Sequence, residues 1–254
     1  MTRALTRTPL HSSTLTRVLS DLAVLEAAEP GAAFAQKLGL WLDFNDAITL
    51  CAAHNASAPV TLSGETSVAK TAMGDELART RAALVNSITK PALPSAGRTR
   101  ITLPSPKPGV SMEEATAYEP YRRYYAAHQR DMETGIRLLR AQAREALARA
   151  SPALGQLAAL DAVLDGILGA RESKLLATVP LLLEQRFAQL LKAHQQKLAD
   201  AQSEDNPALW MKTGAWLARF CHEMQTVLLA ELDVRLLPTV GLIEALNNQM
   251  TQAT

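Results

Sequence analysis

Residues 118–150, YEPYRRYYAAHQRDMETGIRLLRAQAREALARA, decide the fold of this chain. With Tyr125, Met132, Leu139 and Ala146 at heptad position d, Arg122, Gln129, Ile136 and Ala143 fall at a. The resulting seam is apolar in its second half and mixed at its start, which predicts one long coiled-coil-like helix with a buried side. Arg123, Arg130, Arg137 and Arg144 repeat every seventh residue at b, away from the seam. Glu119–Arg123 and Glu133–Arg137 are four apart with the acid first, the orientation that stabilises a solvated helix face by a few tenths of a kcal/mol per pair. The ladder therefore has a plain structural reading as solvated surface, beside two functional ones. It could grip a phosphate backbone with tyrosines stacking on bases, or it could border a helix–helix interface.

The rest of the chain points the same way. Of its 254 residues 48 % are hydrophobic but only 4 % aromatic, because alanine and leucine dominate. Such side chains lose little rotamer freedom in a helix. Leu15, Val18, Leu19, Leu22 and Leu25 give helical spacing over 13–28, ended by Pro30-Gly31. A second helical stretch covers 32–53, interrupted near 43–45, with Phe34, Leu38, Trp41, Leu42, Ile48 and Cys51 facing a core. A loop follows, with a short extended piece at 59–62, and a third helix spans 65–90 on Val68, Met73, Leu77, Leu84 and Ile88.

Five prolines in 91–109 remove amide donors and fix φ, so this segment reads as a basic connector without helix or strand. Beyond it, Ser151-Pro152 signals a helix start, an N-cap followed by proline in the first turn. That helix is expected to reach about Gly169 on Leu157, Leu160, Leu164 and Leu168. A third C-terminal block is expected over 172–201 with a break or kink at Pro180. Asn206-Pro207 repeats the start signal for a fourth, long block, kinked at Pro238.

Chemical constellations are missing from the sequence. His222-Glu223 begins like a zincin motif, but Thr226 stands where the second histidine belongs. Lys212-Thr213-Gly214 lacks the preceding glycine of a phosphate loop, and no nucleophile elbow or dinucleotide fingerprint occurs. His11, His54, His128, His194 and His222 show no ligand spacing; His128 and His194 read as satisfied core or edge residues. Asp161 and Asp165 read as solvated helix surface. Cys51 and Cys221 read as buried free thiols. No catalytic residue, cofactor or metal ligand is assigned. A net charge of +1 creates no field toward nucleic acid or anionic lipid. The strongest apolar run, 175–183, is short against the roughly 20 residues a bilayer requires, so a cytoplasmic protein without membrane insertion is expected.

The segment YEPYRRYYAAHQRDM, with LAALDAVL at 157–164 and LLATVPLLLEQRFAQLLKAHQ at 175–195, resembles an uncharacterised proteobacterial family, a domain of unknown function of about this length. The likeness is clearest over 118–200. The resemblance implies no activity, cofactor or catalytic residue. Its gene neighbourhood implies a cytoplasmic accessory of an envelope-associated assembly.

Together these readings predict an all-α protein: a smaller N-terminal helical region (1–90), a proline-rich basic linker (91–110) and a C-terminal bundle of long antiparallel helices (111–254). The expected function is non-enzymatic, binding of another protein or of itself through a helical face. Tyr121, Arg122, Tyr124, Tyr125, Arg130 and Arg137 are the candidate contacts. A nucleic-acid accessory using the ladder is the alternative, and an enzyme of unidentified chemistry the second alternative.

Overall fold

A computed structural model describes residues 14–22, 41–55, 66–90, 101–107 and 109–251. It is all-α, with no strand among the described residues. The helices are α1 (Thr14–Asp21), α2 (Phe44–Asn55), α3 (Thr66–Thr89), the single turn α4 (Met112–Ala115), α5 (Glu119–Ala150), α6 (Pro152–Leu176), α7 (Val179–Ala201) and α8 (Trp216–Thr251). The extended piece expected at 59–62, and the parts of the first two helical stretches over 23–40, lie outside the described residues. So does much of the connector; its residues 101–107 have no regular secondary structure.

Local chemistry sets the helix boundaries. α5 begins with Pro120 in its first turn, and Arg122 and Arg123 both reach back to Glu119, at 2.6 and 2.8 Å. Two guanidinium donors hold the Glu119 carboxyl down to about 2. Ser151, the one extended residue between α5 and α6, accepts a hydrogen bond from the Leu154 amide and so caps α6, with Pro152 following. The expected stop at Gly169 is absent, because α6 continues to Leu176. The break falls instead at Ala177 and Thr178, and Pro180 occupies the first turn of α7, where its missing amide costs nothing. Asn206-Pro207 is a true start signal, but only for a 3-10 turn, Pro207–Leu209. Gly214 at φ +85° separates that turn from α8, so the long helix begins at Trp216. α8 then runs unbroken through Pro238.

α8 is the central helix, packed by α5, α1, α3, α7 and α6. Leu15 and Leu19 of α1 and Met73, Leu84 and Ile88 of α3 belong to the same buried cluster as Leu228, Leu232 and Leu246 of α8. The N-terminal helices thus share one core with the C-terminal bundle. With only four Phe, three Trp and four Tyr in the chain, the concentration of rings at one end of that core is notable. Phe187 lies 5.0 to 5.5 Å from Tyr118, Tyr121, Trp216 and Phe220, and Trp216 lies 5.2 Å from Trp210. Tilted and edge-on rings at this spacing gain about 0.5–1.5 kcal/mol per pair beyond area burial. Tyr118 also donates its hydroxyl to the Pro180 carbonyl at 2.6 Å, tying the starts of α5 and α7 together. His194 and the Trp210 indole share the Asp205 carboxylate, at 3.0 and 2.7 Å, which fastens the 202–215 turn region to α7.

The outer layer is less covered. α2 packs on α6, has no buried residue, and exposes Phe44 and Ile48. Cys51 on α2 is exposed, contrary to expectation, whereas Cys221 is buried and its thiol is pushed up to about 12 by that burial. Among the described residues, the helical stretch Pro152–Ala201 is long and apolar enough to cross a membrane by length and composition, and 17 % of its most apolar window is buried.

Candidate functional site in the polar seam between three helices

A line of polar side chains runs between α5, α6 and α8 through otherwise apolar packing. It starts at Glu231 of α8, which is fully buried. One of its carboxylate oxygens accepts the Tyr125 hydroxyl at 2.7 Å, and the other accepts Arg235 Nε at 2.8 Å. Gln129 Nε2 donates to both oxygens at 3.1 Å and to the Leu176 carbonyl at 3.0 Å. A buried charge persists only when it is paired and hydrogen-bonded, and here it is both. Burial first, and then the Glu231 charge, raises the Tyr125 hydroxyl well above its ordinary range, so it stays a neutral donor.

Beyond Arg235 the seam opens into a cavity of about 160 Å³. Glu133, Ile136, Arg137 and Arg140 line it from α5, Asp165, Gly169, Glu172 and Ser173 from α6, and Arg235 from α8. Its far wall is a four-membered ionic clamp. Arg140 and Arg144, one turn apart on α5, each bond Asp161 and Asp165, one turn apart on α6, at 2.6 to 2.9 Å. Burial pushes the Asp161 carboxyl up, but the Arg140 and Arg144 bonds outweigh it and the net shift is downward. The matched four-residue spacing on both helices is why the clamp closes: side chains at i and i+4 lie on one helix face. Asp161 and Asp165 are therefore structural ion-pair partners, not solvated surface.

The other candidate residues are dispersed. Tyr121, Tyr124 and Tyr125 are buried against the chain's own helices. Tyr121 sits in the aromatic cluster, and Tyr124 donates to the Ile88 carbonyl of α3 at 3.3 Å. Their expected role as partner contacts is corrected: they are core. Arg122, Arg130 and Arg137 are exposed, but Arg122 is bound to Glu119. Of the ladder, Arg123 pairs with Glu119 and Arg144 with the α6 aspartates, while Arg130 and Arg137 make no ion pair among the described residues. Leu138, beside them, is 63 % exposed. Glu223, from the broken zincin-like pair, is held by Arg186 and Arg219. His128 is in the core, yet its Nε2 has no hydrogen-bond partner, and burial lowers its ring to about 4.

The seam offers guanidinium donors and carboxylate acceptors around a small cavity. Glu231 and Arg235 were not foreseen. Their sequence signal is an acid and a base four apart on the apolar side of α8, between Leu228, Leu232 and Leu236. Among the described residues no group of three or more His, Cys, Asp or Glu is placed to hold a metal ion.

A family model described as a protein of unknown function, DUF3348, matches residues 1–248. The chain belongs to the DUF3348 family. That membership spans nearly the whole chain, so the N-terminal helices, the connector and the seam are all parts of a DUF3348 protein. No curated protein and no solved structure matches it.

Proposed function

We propose that this DUF3348 protein is a non-enzymatic interaction protein that binds another protein, or a second copy of itself, through an exposed helical face. The observation that carries the reading is the set of large apolar side chains exposed on α2, α6 and α7. In the stretch Pro152–Ala201 17 % of the most apolar window is fully buried, and Leu160, Val163, Leu164, Ile167 and Leu168 are half-buried. Leu157, Leu175 and Leu181 are exposed along it, as are Phe44 and Ile48 of the α2 helix that packs on α6. A single exposed leucine is ordinary, whereas several large apolar side chains exposed on neighbouring helices support a contact site on that layer. Burial of Tyr121, Tyr124 and Tyr125 moves the contact region away from the first turns of α5 and onto this layer, with Arg130, Arg137 and Leu138 as a second exposed strip. A cytoplasmic place beside an envelope-associated assembly belongs to the same proposal. The nucleic-acid reading is weaker, because internal acids occupy half of the arginine ladder.

Light scattering over a concentration series, combined with affinity purification from the host, tests the proposal. Self-association or a stoichiometric protein partner is expected, and a Leu157→Glu, Leu181→Glu double variant should lose it by about tenfold or more. Both positions are exposed, so stability should shift by less than about 1 kcal/mol. A strictly monomeric chain that recovers no partner sinks the reading. Co-sedimentation with neutral lipid vesicles, abolished by the same variant, would replace the protein partner with a bilayer.

A further inference from the structure

We infer that α6 and α7 are one helix bent at a proline hinge, and that Gln129 of α5 is the latch of that hinge, standing in for the amide that Pro180 lacks. The latch stands independently of the helical-face reading; only its consequence for a partner rests on that reading.

The joint is helix in all but its hydrogen bonds. Ala177 (φ −64°, ψ −14°) and Thr178 (φ −79°, ψ −20°), the two residues between α6 and α7, keep right-handed helical angles. The Ala177 amide still donates to the Ser173 carbonyl at 2.9 Å, in helical register. Thr178 donates to the Leu175 carbonyl through its amide at 3.0 Å and its hydroxyl at 2.6 Å. In an unbroken helix the Leu176 carbonyl would take the amide of residue 180, four positions on. Proline there has no N–H, and helices kink where such a bond is lost. α7 loses nothing by this, because its first-turn amides are unpaired in any case. The loss falls on the carbonyl at the end of α6. Leu176 is buried, and a buried carbonyl without a donor is costly.

Gln129 supplies the donor. Its Nε2 lies 3.0 Å from the Leu176 carbonyl and 3.1 Å from each Glu231 oxygen. Both neighbours are acceptors, so the amide nitrogen faces them, and its two hydrogens have one acceptor group each. The Leu176 carbonyl is thereby tied through Gln129 to the buried Glu231 carboxylate, which also accepts from Tyr125 and Arg235. Four residues beyond Leu176, the Tyr118 hydroxyl donates to the Pro180 carbonyl at 2.6 Å. α5 therefore grips the joint on both sides of the missing bond. Without Gln129, the Leu176 carbonyl is satisfied only by water or by a shift of α7 against α6. The setting matters at the surface. Leu175 and Leu181, on either side of the joint, are 53 % and 56 % exposed, and the angle between α6 and α7 fixes how far apart they stand. A partner that spans both reads the bend.

Two measurements on the full chain test the latch. Spin labels at Ala170→Cys on α6 and Gln189→Cys on α7, both exposed positions, give the distance across the joint by pulsed electron resonance, with exposed Cys51 replaced by serine and Cys221 buried. One narrow distance is expected with Gln129, and a shifted or broadened distribution with Gln129→Leu. Unfolding titrations of Gln129→Leu, Pro180→Ala and the pair then form a double-mutant cycle. Alanine at 180 returns an amide to the Leu176 carbonyl. Gln129→Leu should therefore lower the folding constant at least about fivefold less on the Pro180→Ala background than on the native one. The bonds of Gln129 to Glu231 are lost on both backgrounds and cancel. Gln129→Asn, one methylene shorter, serves in both measurements where Gln129→Leu does not fold. An unchanged narrow distance in the Gln129 variant, or equal costs on the two backgrounds, overturns the inference. No partner enters either measurement, so both are decided whether or not the exposed face binds anything.

Discussion

His128 is one of three described residues, with Trp216 and Thr239, whose buried polar atom has no hydrogen-bond partner. It is buried on α5 with Nε2 unpartnered, and the Tyr124 ring packs edge-on at 4.5 Å. Burial disfavours the imidazolium and lowers the ring from 6.5 to about 4. The unfolded chain therefore binds this proton first as pH falls. Stability should be intact above about pH 6.5, fall as pH drops toward about 4, and lose no more on this account below that, where both states carry the proton. The loss is on the order of 3 kcal/mol, at 1.36 kcal/mol per unit. Urea titrations across that window should show the slope, and His128→Leu should flatten it. An unchanged slope in the variant would assign the pH dependence to other groups. The carboxylates of Asp161 and Glu223 titrate lower, because arginines outweigh their burial. The sequence shows that His128 lies on an apolar face, but not that its second nitrogen lacks a partner, which depends on the neighbouring helices. The same limit explains the tyrosines. A heptad seam predicts burial for Tyr125 at d, whereas Tyr124 and Tyr121 at c and g are buried because α3, α7 and α8 surround α5 on more sides than a two-helix seam allows.

At the scale of the element, α5 and α6 form a hairpin joined by Ser151 and locked by the four-membered clamp. The two aspartates are not equivalent. The Asp161 side chain is 12 % exposed and answers both arginines from within, whereas Asp165 is 36 % exposed. Removing a buried partner leaves uncompensated charge, at about 3–5 kcal/mol when burial is complete, and partial solvent access lowers that figure. Asp161→Ala should therefore destabilise by about 2 kcal/mol, and Asp165→Ala by less, in denaturant titrations. Equal effects would mean that solvent screens both alike. Helix starts were legible where a single residue carries the signal, as at Ser151-Pro152, whereas Pro180, expected as a break or kink within 172–201, stands in the first turn of α7. Helix ends were not: Gly169 lies inside α6 and keeps a negative φ, so it does not form the left-handed cap that ends a helix. Pro238 is tolerated because α8 is held by buried apolar residues before and after it, Leu236, Leu242 and Ile243 among them, and that packing offsets one lost backbone bond.

For the whole molecule, the question the sequence left open was whether residues 1–90 stand alone. Length and the proline-rich connector suggest two units, but α1 and α3 lie on α8 and place Leu15, Leu19, Met73, Leu84 and Ile88 in its core. Fully burying an apolar side chain of this size stabilises by about 1.5–3 kcal/mol. Five of them amount to about 10 kcal/mol, as much as the whole net stability of a typical domain, about 5–15 kcal/mol. A chain lacking residues 1–100 should therefore fail to fold cooperatively and bind a hydrophobic dye, rather than persist as an independent bundle. In the full chain, the far-ultraviolet signal of all helices and the fluorescence of Trp210 and Trp216, at the aromatic end of the core, should report one coincident transition, with Trp41→Phe removing the exposed third indole. Separate transitions, or a sharply melting truncated chain, would mean that the connector divides two independent domains and that the contacts of α1 and α3 with α8 are docking between them.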